Sequence, residues 1–349
     1  MRVGVDARHL TAGRGVARYT RALLGAMAAA HPEDEWLAFV PGRATVAAPP
    51  GVRLVRHPLP GRALFGAAAV VRRPRLDRLL GGIDVLWAPA PAPLAVSPGV
   101  PLVLTVHDRS FEVRPGDFTR YERLWHRLAR PRALAARADA VVCDTEAVRA
   151  DHAQAWGVRA TVVAPGVLDA PAPAAAAAGT RPYLLFVGAL EPRKGPDVLA
   201  AAYARARARG LTADLVVVGD GRMTIDGPGV RRRGGTAGDA ELAALYAGAL
   251  AVVAPSWLEG FGLPPVEAAA LGTPSVVSDL PVFAETLGDG ALRVVPGDAD
   301  GLADALLRIA ADGDLRARLA AAARTAAARF EWGRAAEALH AFLARAAAR

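Results

Sequence analysis

Cysteine occurs once in this chain, at Cys143, which excludes a disulfide framework and any Cys-rich zinc site. The seven histidines, at 9, 31, 57, 107, 126, 152 and 340, form no pair at H-x-x-x-H or H-x-H spacing, so no protein-held catalytic zinc is expected. No run approaches the roughly 18 uncharged apolar residues that a membrane helix needs. The opening MRVGVDARHL passes straight into a strand pattern, so neither a membrane span nor a signal peptide is expected. These absences point to a soluble, cytoplasmic protein. Asparagine is absent, glutamine appears only at Gln154, and Lys194 is the one lysine among 42 Lys+Arg. That skew, with abundant alanine, matches a GC-rich coding bias more than selection for arginine forks. The net charge of +8 is therefore read largely as solvated surface. No run of aromatics interleaved with basic residues offers a stacking platform, so nucleic acid is not an expected partner.

What is present fills two domains. The chain has 349 residues, 53% of them hydrophobic, which exceeds one ordinary core. MRVGVDA, Trp36 to Pro41, Val52 to Arg56, Val85 to Ala88, Leu102 to Val106, Ala140 to Cys143 and Thr161 to Val163 read as strands. Helical segments lie between most of them, notably 16–30, 119–138 and 146–156. At 169–182 the sequence DAPAPAAAAAGTRP has no amphipathic pattern and reads as a linker. Alternation then restarts, with strands at Tyr183 to Gly188, Leu215 to Gly219, Ala251 to Pro255, Ser275 to Ser278 and near 292–295. Helices are expected at 196–209, 239–248, 264–271 and over 299–349, the last broken near Phe330 to Gly333. Such alternation implies crossovers and mainly parallel sheets, hence two doubly wound α/β domains in tandem. The expected division is 1–170 and 181–330, with the terminal helix 331–349 a candidate to return to the first domain. Ligands of such folds bind at the C-terminal ends of the strands, here in a cleft between the domains. Segment 62–78, rich in arginine, reads either as a surface helix or as a weak peripheral membrane contact; Pro74 interrupts it, which favours the surface helix.

Four places join glycines to charge at such strand ends. Gly13-Arg14-Gly15 precedes a helix, whose unpaired N–H groups suit an anion, although glycines there often only shape a turn. His107-Asp108 follows a buried strand; the histidine either meets a ligand or is satisfied by nearby carbonyls. In Phe186-Val187-Gly188-Ala189-Leu190-Glu191-Pro192-Arg193-Lys194-Gly195, two cations stand where a helix starts, which suits a diphosphate. In Ser256-Trp257-Leu258-Glu259-Gly260-Phe261-Gly262-Leu263-Pro264-Pro265-Val266-Glu267, two carboxylates eight apart flank a Gly-Phe-Gly-Leu-Pro loop that opens a helix. Carboxylates accept hydrogen bonds from vicinal hydroxyls of a hexose or a ribose.

With these residues in order, the chain resembles the family-4 retaining glycosyltransferases of the GT-B fold, in particular their bacterial mannosyltransferase-like branch. GRGVARYTRALL, TVHDRSFE, LFVGALEPRKG, LVVVGDG and ELAALYAGALAVVAPSWLEGFGLPPVEAAALGTPSVVSD carry the resemblance, the last most specifically. It implies two Rossmann-like domains facing each other across a cleft, a donor held by the second and an acceptor by the first. It further implies that Arg193 and Lys194 bind the diphosphate and Glu267 the ribose. Glu259 would bind the donor sugar, helped by amides of Phe261, Gly262 and Leu263. His107 would contact that sugar, Gly15 and Gly188 would bring backbone near the donor, and the base would lie against 231–235. The implied reaction moves a hexose, mannose as first guess, from a nucleotide-diphosphate sugar to a hydroxyl acceptor, with no cofactor and no metal. Ala17 and the run Val163-Ala164-Pro165-Gly166-Val167 depart from the branch's usual residues, and the stretch 220–238 leaves the base open. Rival readings are a GT-B nucleotide-sugar epimerase and a non-catalytic nucleotide-sugar-binding subunit. Intact Lys194, Glu259 and Glu267 weigh against the latter.

Overall fold

A computed structural model describes residues 1–11, 15–43, 45–167, 181–234 and 238–349. Most of the segment read as a linker, together with Gly13, Arg14 and Gly235, lies outside them. Two compact units result, one formed by Met1–Gly166 with Glu331–Arg349, the other by Val167–Phe330.

The first unit holds seven strands, β1 (Arg2–Asp6), β2 (Glu35–Pro41), β3 (Val52–His57), β4 (Val85–Ala88), β5 (Leu102–Val106), β6 (Ala140–Cys143) and β7 (Thr161–Val162). They form one sheet in the order β3-β2-β1-β4-β5-β6-β7, and every pairing is parallel. Side chains alternate faces along each strand. Trp36, Ala38 and Val40 of β2 join one cluster with Val3, Val5 and Trp87, whereas Leu37 and Phe39 join the opposite one with Leu86 and Leu104. Both faces are covered by helices, which is why these strands read as unbroken apolar runs.

The second unit repeats the design with β8 (Tyr183–Val187), β9 (Asp214–Val218), β10 (Val230–Arg233), β11 (Ala251–Ala254), β12 (Ser275–Ser278) and β13 (Ala291–Val294). Their order is β10-β9-β8-β11-β12-β13, again all parallel. Leu184 and Phe186 face Leu199, Leu302 and Leu306; Tyr183 and Leu185 face Leu242, Leu245 and Tyr246. In each sheet the order reverses beside its first strand, leaving crevices between β1 and β4 and between β8 and β11 where ligands of doubly wound folds sit.

Several elements differ from the sequence reading. β10 went unread inside 220–238, because its VRRR sequence carries one apolar residue and it lies at the sheet edge. Helix 119–138 is two helices, Arg120–Ala129 and Pro131–Arg137, separated by Arg130 at φ 48° just before a proline. The stretch 299–349 has a second break, where Asp312 ends one helix and caps the next by accepting from the Leu315 amide at 2.8 Å. The helix Pro281–Leu287 was also not anticipated. In the arginine-rich segment the helix is Gly61–Val71; Leu64, Phe65 and Ala68 are buried in their own unit, and Val70 and Val71 are the large apolar side chains left exposed on it. No helix among the described residues is long and apolar enough to cross a membrane.

The terminal helix Trp332–Ala347 belongs to the first unit. Its Leu339 and Leu343 are fully buried against Leu23, Leu24, Met27 and Trp36. At its polar flank His340 Nε2–H donates to Asp34 Oδ2 at 2.7 Å, and Asp34 Oδ1 takes the N-terminal ammonium at 2.5 Å. Leu339→Ala should therefore cost the first unit about 2–5 kcal/mol, as buried leucine truncations do, and lower its midpoint in urea denaturation. A loss under about 1 kcal/mol would remove this helix from the core.

Candidate functional site

In the second unit the residues singled out in the sequence converge at the ends of β8 and β11. The chain leaves β8 through Gly188, whose amide donates to the Val218 carbonyl at 3.0 Å, and makes a short 3-10 turn, Pro192–Lys194. Gly195 then takes φ +66°, and a Cβ there would lie 2.2 Å from the Pro255 carbonyl oxygen. Only glycine allows both that conformation and that approach. The contact presses the Arg193-Lys194 turn against the loop after β11, and Trp257 N–H donates to the Arg193 carbonyl at 2.9 Å to hold it.

The side chains are then in register. Lys194 Nζ lies 2.5 Å from Glu259 Oε1, and Ser256 Oγ donates to the same oxygen at 2.7 Å. Glu259 Oε2 has no partner among the described residues. The lysine is 17% and the glutamate 9% exposed, so the pair is shielded while still reachable. The adjacent Arg193 is half-buried, and its guanidinium makes no ion pair or hydrogen bond among the described residues. One cation of the expected pair is thus committed within the protein and the other is not.

Beyond Glu259 the loop turns through Gly262 at φ +81°, where a Cβ would meet the Phe283 ring at 2.4 Å, into the helix Leu263–Ala270. A helix start ordinarily offers four unpaired N–H groups. Pro264 and Pro265 remove two of them, which concentrates donors just before: the amides of Phe261, Gly262 and Leu263 donate to nothing among the described residues. Glu267, one turn in, is 1% exposed and accepts from Tyr246 Oη–H at 2.9 Å. The loop read as base-binding corresponds in part to β10, where Arg231 Nε stands 3.2 Å from Asp214 Oδ2. Its Gly235 lies outside the described residues.

In the first unit the ends of β1, β4, β5 and β6 form the corresponding edge. Gly15 opens the helix Gly15–Ala30, and a Cβ there would meet nothing within 4 Å among the described residues. Four residues on, Tyr19 stands edge-on to the His107 ring at 4.7 Å. Both His107 ring nitrogens are engaged: Nδ1 lies 2.6 Å from Asp144 Oδ2, and Nε2 2.9 Å from the Pro89 carbonyl oxygen. Burial pushes the His107 pKa down, but the charge and hydrogen bond of Asp144, with Asp108 and Pro89, outweigh it and the net direction is up. His9, after β1, behaves oppositely. Burial dominates the pull from Asp6, Arg8 and His107 add to it, and its pKa falls to about 4. Among the described residues no group of three or more His, Cys, Asp or Glu could hold a metal ion. Asp144, Ser256, Tyr246 and His9 were not found from sequence; Asp144 follows a buried strand as His107 does, and that shared strand-end position was the one available signal.

Known proteins resemble this chain in sequence and in fold. A family model described as glycosyl transferases group 1 matches residues 181–312, and one described as glycosyltransferase family 4 matches 13–170. The D-inositol 3-phosphate glycosyltransferase of Xylanimonas cellulosilytica is 33% identical over an alignment covering 83% of this chain and 81% of that protein. The phosphatidyl-myo-inositol mannosyltransferase of Mycolicibacterium smegmatis is 40% identical over 43% of this chain and 41% of its own. The O-antigen chain mannosyltransferase RfbU of Salmonella typhimurium is 52% identical over 69 residues, 20% of either chain. Among solved structures, sucrose-phosphate synthase from Thermosynechococcus elongatus superposes with TM-score 0.76 at 21% identity, covering 99% of this chain and 98% of that one. WaaG, a glycosyltransferase involved in lipopolysaccharide biosynthesis, gives 0.72 at 17% identity, over 98% and 99%. These likenesses show the fold, two Rossmann-like units of GT-B type.

His9 generates a stability prediction. With a folded pKa of about 4 against 6.5 for the free side chain, the folded chain binds fewer protons than the unfolded chain between those values. Stability therefore falls as pH drops from about 6.5 to 4 by up to about 1.4 kcal/mol per pH unit, and no further below. Urea titrations across pH 4–7 should show a shallower acid slope for His9→Gln than for the parent. Superimposable slopes would show that His9 is not held neutral.

Proposed function

The chain belongs to the group 1, family 4 glycosyltransferases, and from that premise we propose that it is a retaining hexosyltransferase working without a metal. It moves a hexose, mannose as first candidate, from a nucleoside-diphosphate sugar to a hydroxyl acceptor. The observation that carries the reading is the grouping, at one strand-end loop, of the Lys194–Glu259 pair with Arg193 and the amides of 261–263, which have no partners among the described residues. Cations and amides suit a diphosphate on which negative charge develops as it leaves. The bare Glu259 Oε2 suits a sugar hydroxyl that must be oriented. Glu267, fixed by Tyr246, is assigned to the ribose. Names of relatives, two of them mannosyltransferases, support mannose over other hexoses.

The chemistry follows from these groups. The acceptor oxygen forms its bond to the anomeric carbon on the face from which the diphosphate departs, so the configuration is kept. The bond from that carbon to the phosphate oxygen breaks, Arg193 and Lys194 take up the charge, and the departing phosphate oxygen accepts the acceptor's proton. The donor binds to the unit Val167–Phe330 and the acceptor to the unit built on Met1–Gly166. Two cations and three amides match the charge that a divalent ion would otherwise neutralise. Turnover should accordingly persist in excess EDTA; loss restored only by a divalent ion would overturn the metal-free reading. A thermal-shift screen of UDP, GDP, TDP and ADP sugars identifies the donor, since ligand at about 100 Kd adds roughly 2.7 kcal/mol. Nuclear magnetic resonance of the product's anomeric proton then decides retention, and an inverted product refutes it.

The Lys194–Glu259 pair makes the two single variants diverge. Lys194→Ala removes a charged hydrogen bond to the diphosphate and should weaken nucleoside-diphosphate binding by about 1.5–3 kcal/mol. Glu259→Ala frees Lys194 from its carboxylate, so diphosphate affinity should hold or tighten. Its kcat/KM should nevertheless fall roughly tenfold to several hundredfold through lost orientation of the sugar. Calorimetry with the nucleoside diphosphate and turnover measurements on both variants check this. Equal loss of diphosphate affinity in both would remove Glu259 from the sugar.

A further inference from the structure

Sequence position left His107 either to meet a ligand or to be satisfied by nearby carbonyls. The geometry leaves it no ring nitrogen for a ligand. The Pro89 carbonyl oxygen, 2.9 Å from Nε2, can only accept, so Nε2 carries a hydrogen. Nδ1 faces a carboxylate oxygen of Asp144 at 2.6 Å, and a bare nitrogen lone pair there would meet a second lone pair. A proton must lie between them.

We propose that Asp144 is a positioning residue: with Pro89 it holds His107 as a ring protonated on both nitrogens, a fixed positive charge in the site rather than a base. This deepens the transferase reading and rests on it for the part His107 plays in turnover. Asp144 stands directly after β6 and His107 directly after the neighbouring β5, so strand pairing itself sets their separation. Asp144 is 3% exposed and its second oxygen, Oδ1, has no partner among the described residues, so His107 is its one hydrogen-bonded partner there. The ring cannot swing, because Tyr19 of the helix Gly15–Ala30 lies edge-on to it, wedged in turn by Trp87 and Trp332 at 6.2 Å each. The other titratable groups facing it are Asp108, adjacent in sequence, which favours the charged ring, and His9, after β1, which is neutral at physiological pH. Tyr19 also stays neutral, its phenol pKa pushed up by burial and by Asp144. With both N–H groups given away, the ring has only its polarised C–H edge and its charge to offer a ligand. Both suit oxygen atoms of a sugar or phosphate.

Two readouts test this. In 15N-histidine spectra the signals missing from His107→Gln identify the ring. In the parent protein both of its nitrogens should be protonated at pH 7. Asp144→Asn should move that titration to lower pH, and Asp144→Glu should restore part of it. In turnover, the parent's kcat/KM should decline as pH rises through the His107 titration. Asp144→Asn should carry that decline to lower pH and cut kcat/KM roughly tenfold to a hundredfold, through a displaced ring. Nucleoside-diphosphate affinity should stay unchanged. A merely structural Asp144 would lower the melting temperature and leave the pH profile parallel to the parent's, which would overturn the proposal. So would a singly protonated His107 in the parent at pH 7, a reading that survives even if Asp144→Asn does not fold. If no donor turns over, the transferase reading fails, while the nitrogen spectra still decide whether Asp144 holds the ring.

Discussion

Among the described residues all eleven strand pairings are parallel, and that constraint organises both units. A parallel sheet needs a crossover after every strand, and the crossovers must cover both faces with helices. The strands are then buried on both sides, and no polar chemistry can sit along them. What remains is the edge where strands end and loops begin, and parallel strands place all of those ends on one side. Asp6, His107 and Asp144 follow or close β1, β5 and β6; Gly188, Arg193 and Glu259 follow β8 and β11. The candidate site residues are gathered by topology before any of them contacts another.

Within each edge the decisive contact joins a cation to a carboxylate: Lys194 to Glu259 in one unit and His107 to Asp144 in the other. Shielded pairs of this kind gain little net stability, because desolvation offsets attraction. Their value lies in what they fix, and the two differ in that respect. Each His107 ring nitrogen faces an oxygen, of Asp144 or Pro89, and on the proposed assignment the charge stays where it is. Lys194 meets one oxygen of a carboxylate whose other oxygen has no partner among the described residues, and the proposed diphosphate would compete for its ammonium. One pair is a fixed element of the field; the other can be rearranged by a ligand.

The strands were legible because burial on both faces writes them as runs such as Tyr183 to Val187, and the order of those runs fixes the fold class. β10 was not, since an edge strand pairs on one side only and tolerates the Arg231, Arg232 and Arg233 that its sequence carries. The break at Asp312 was missed because helix cappers look like ordinary surface residues until the chain turns. Individual site residues were visible as glycines and charges at strand ends. Their pairings were not: Lys194 and Glu259 are separated by 65 residues, His107 and Asp144 by 37. Nothing local in the chain announces that a residue thought to face a ligand is already held by another. Asp144, which sits among Cys143, Thr145 and Glu146, carries no motif at all.

The identity of the lone lysine fits this distinction in physical terms. Every other residue among the 42 Lys+Arg is arginine, yet position 194 is not. A guanidinium presents a planar fork that matches a carboxylate at two points, and beside Glu259 it would engage both oxygens. That would fill Oε2, the oxygen proposed for the sugar, and would hold the cation at two points instead of one. An ammonium is a compact charge on a four-carbon stem. It meets Oε1 together with Ser256 Oγ and leaves Oε2 without a partner among the described residues. The arginine fork is placed one residue earlier, at Arg193, where no carboxylate competes for it among the described residues. A fork where the charge is left free and a point charge where it is shared is an arrangement that fits the proposed departing diphosphate.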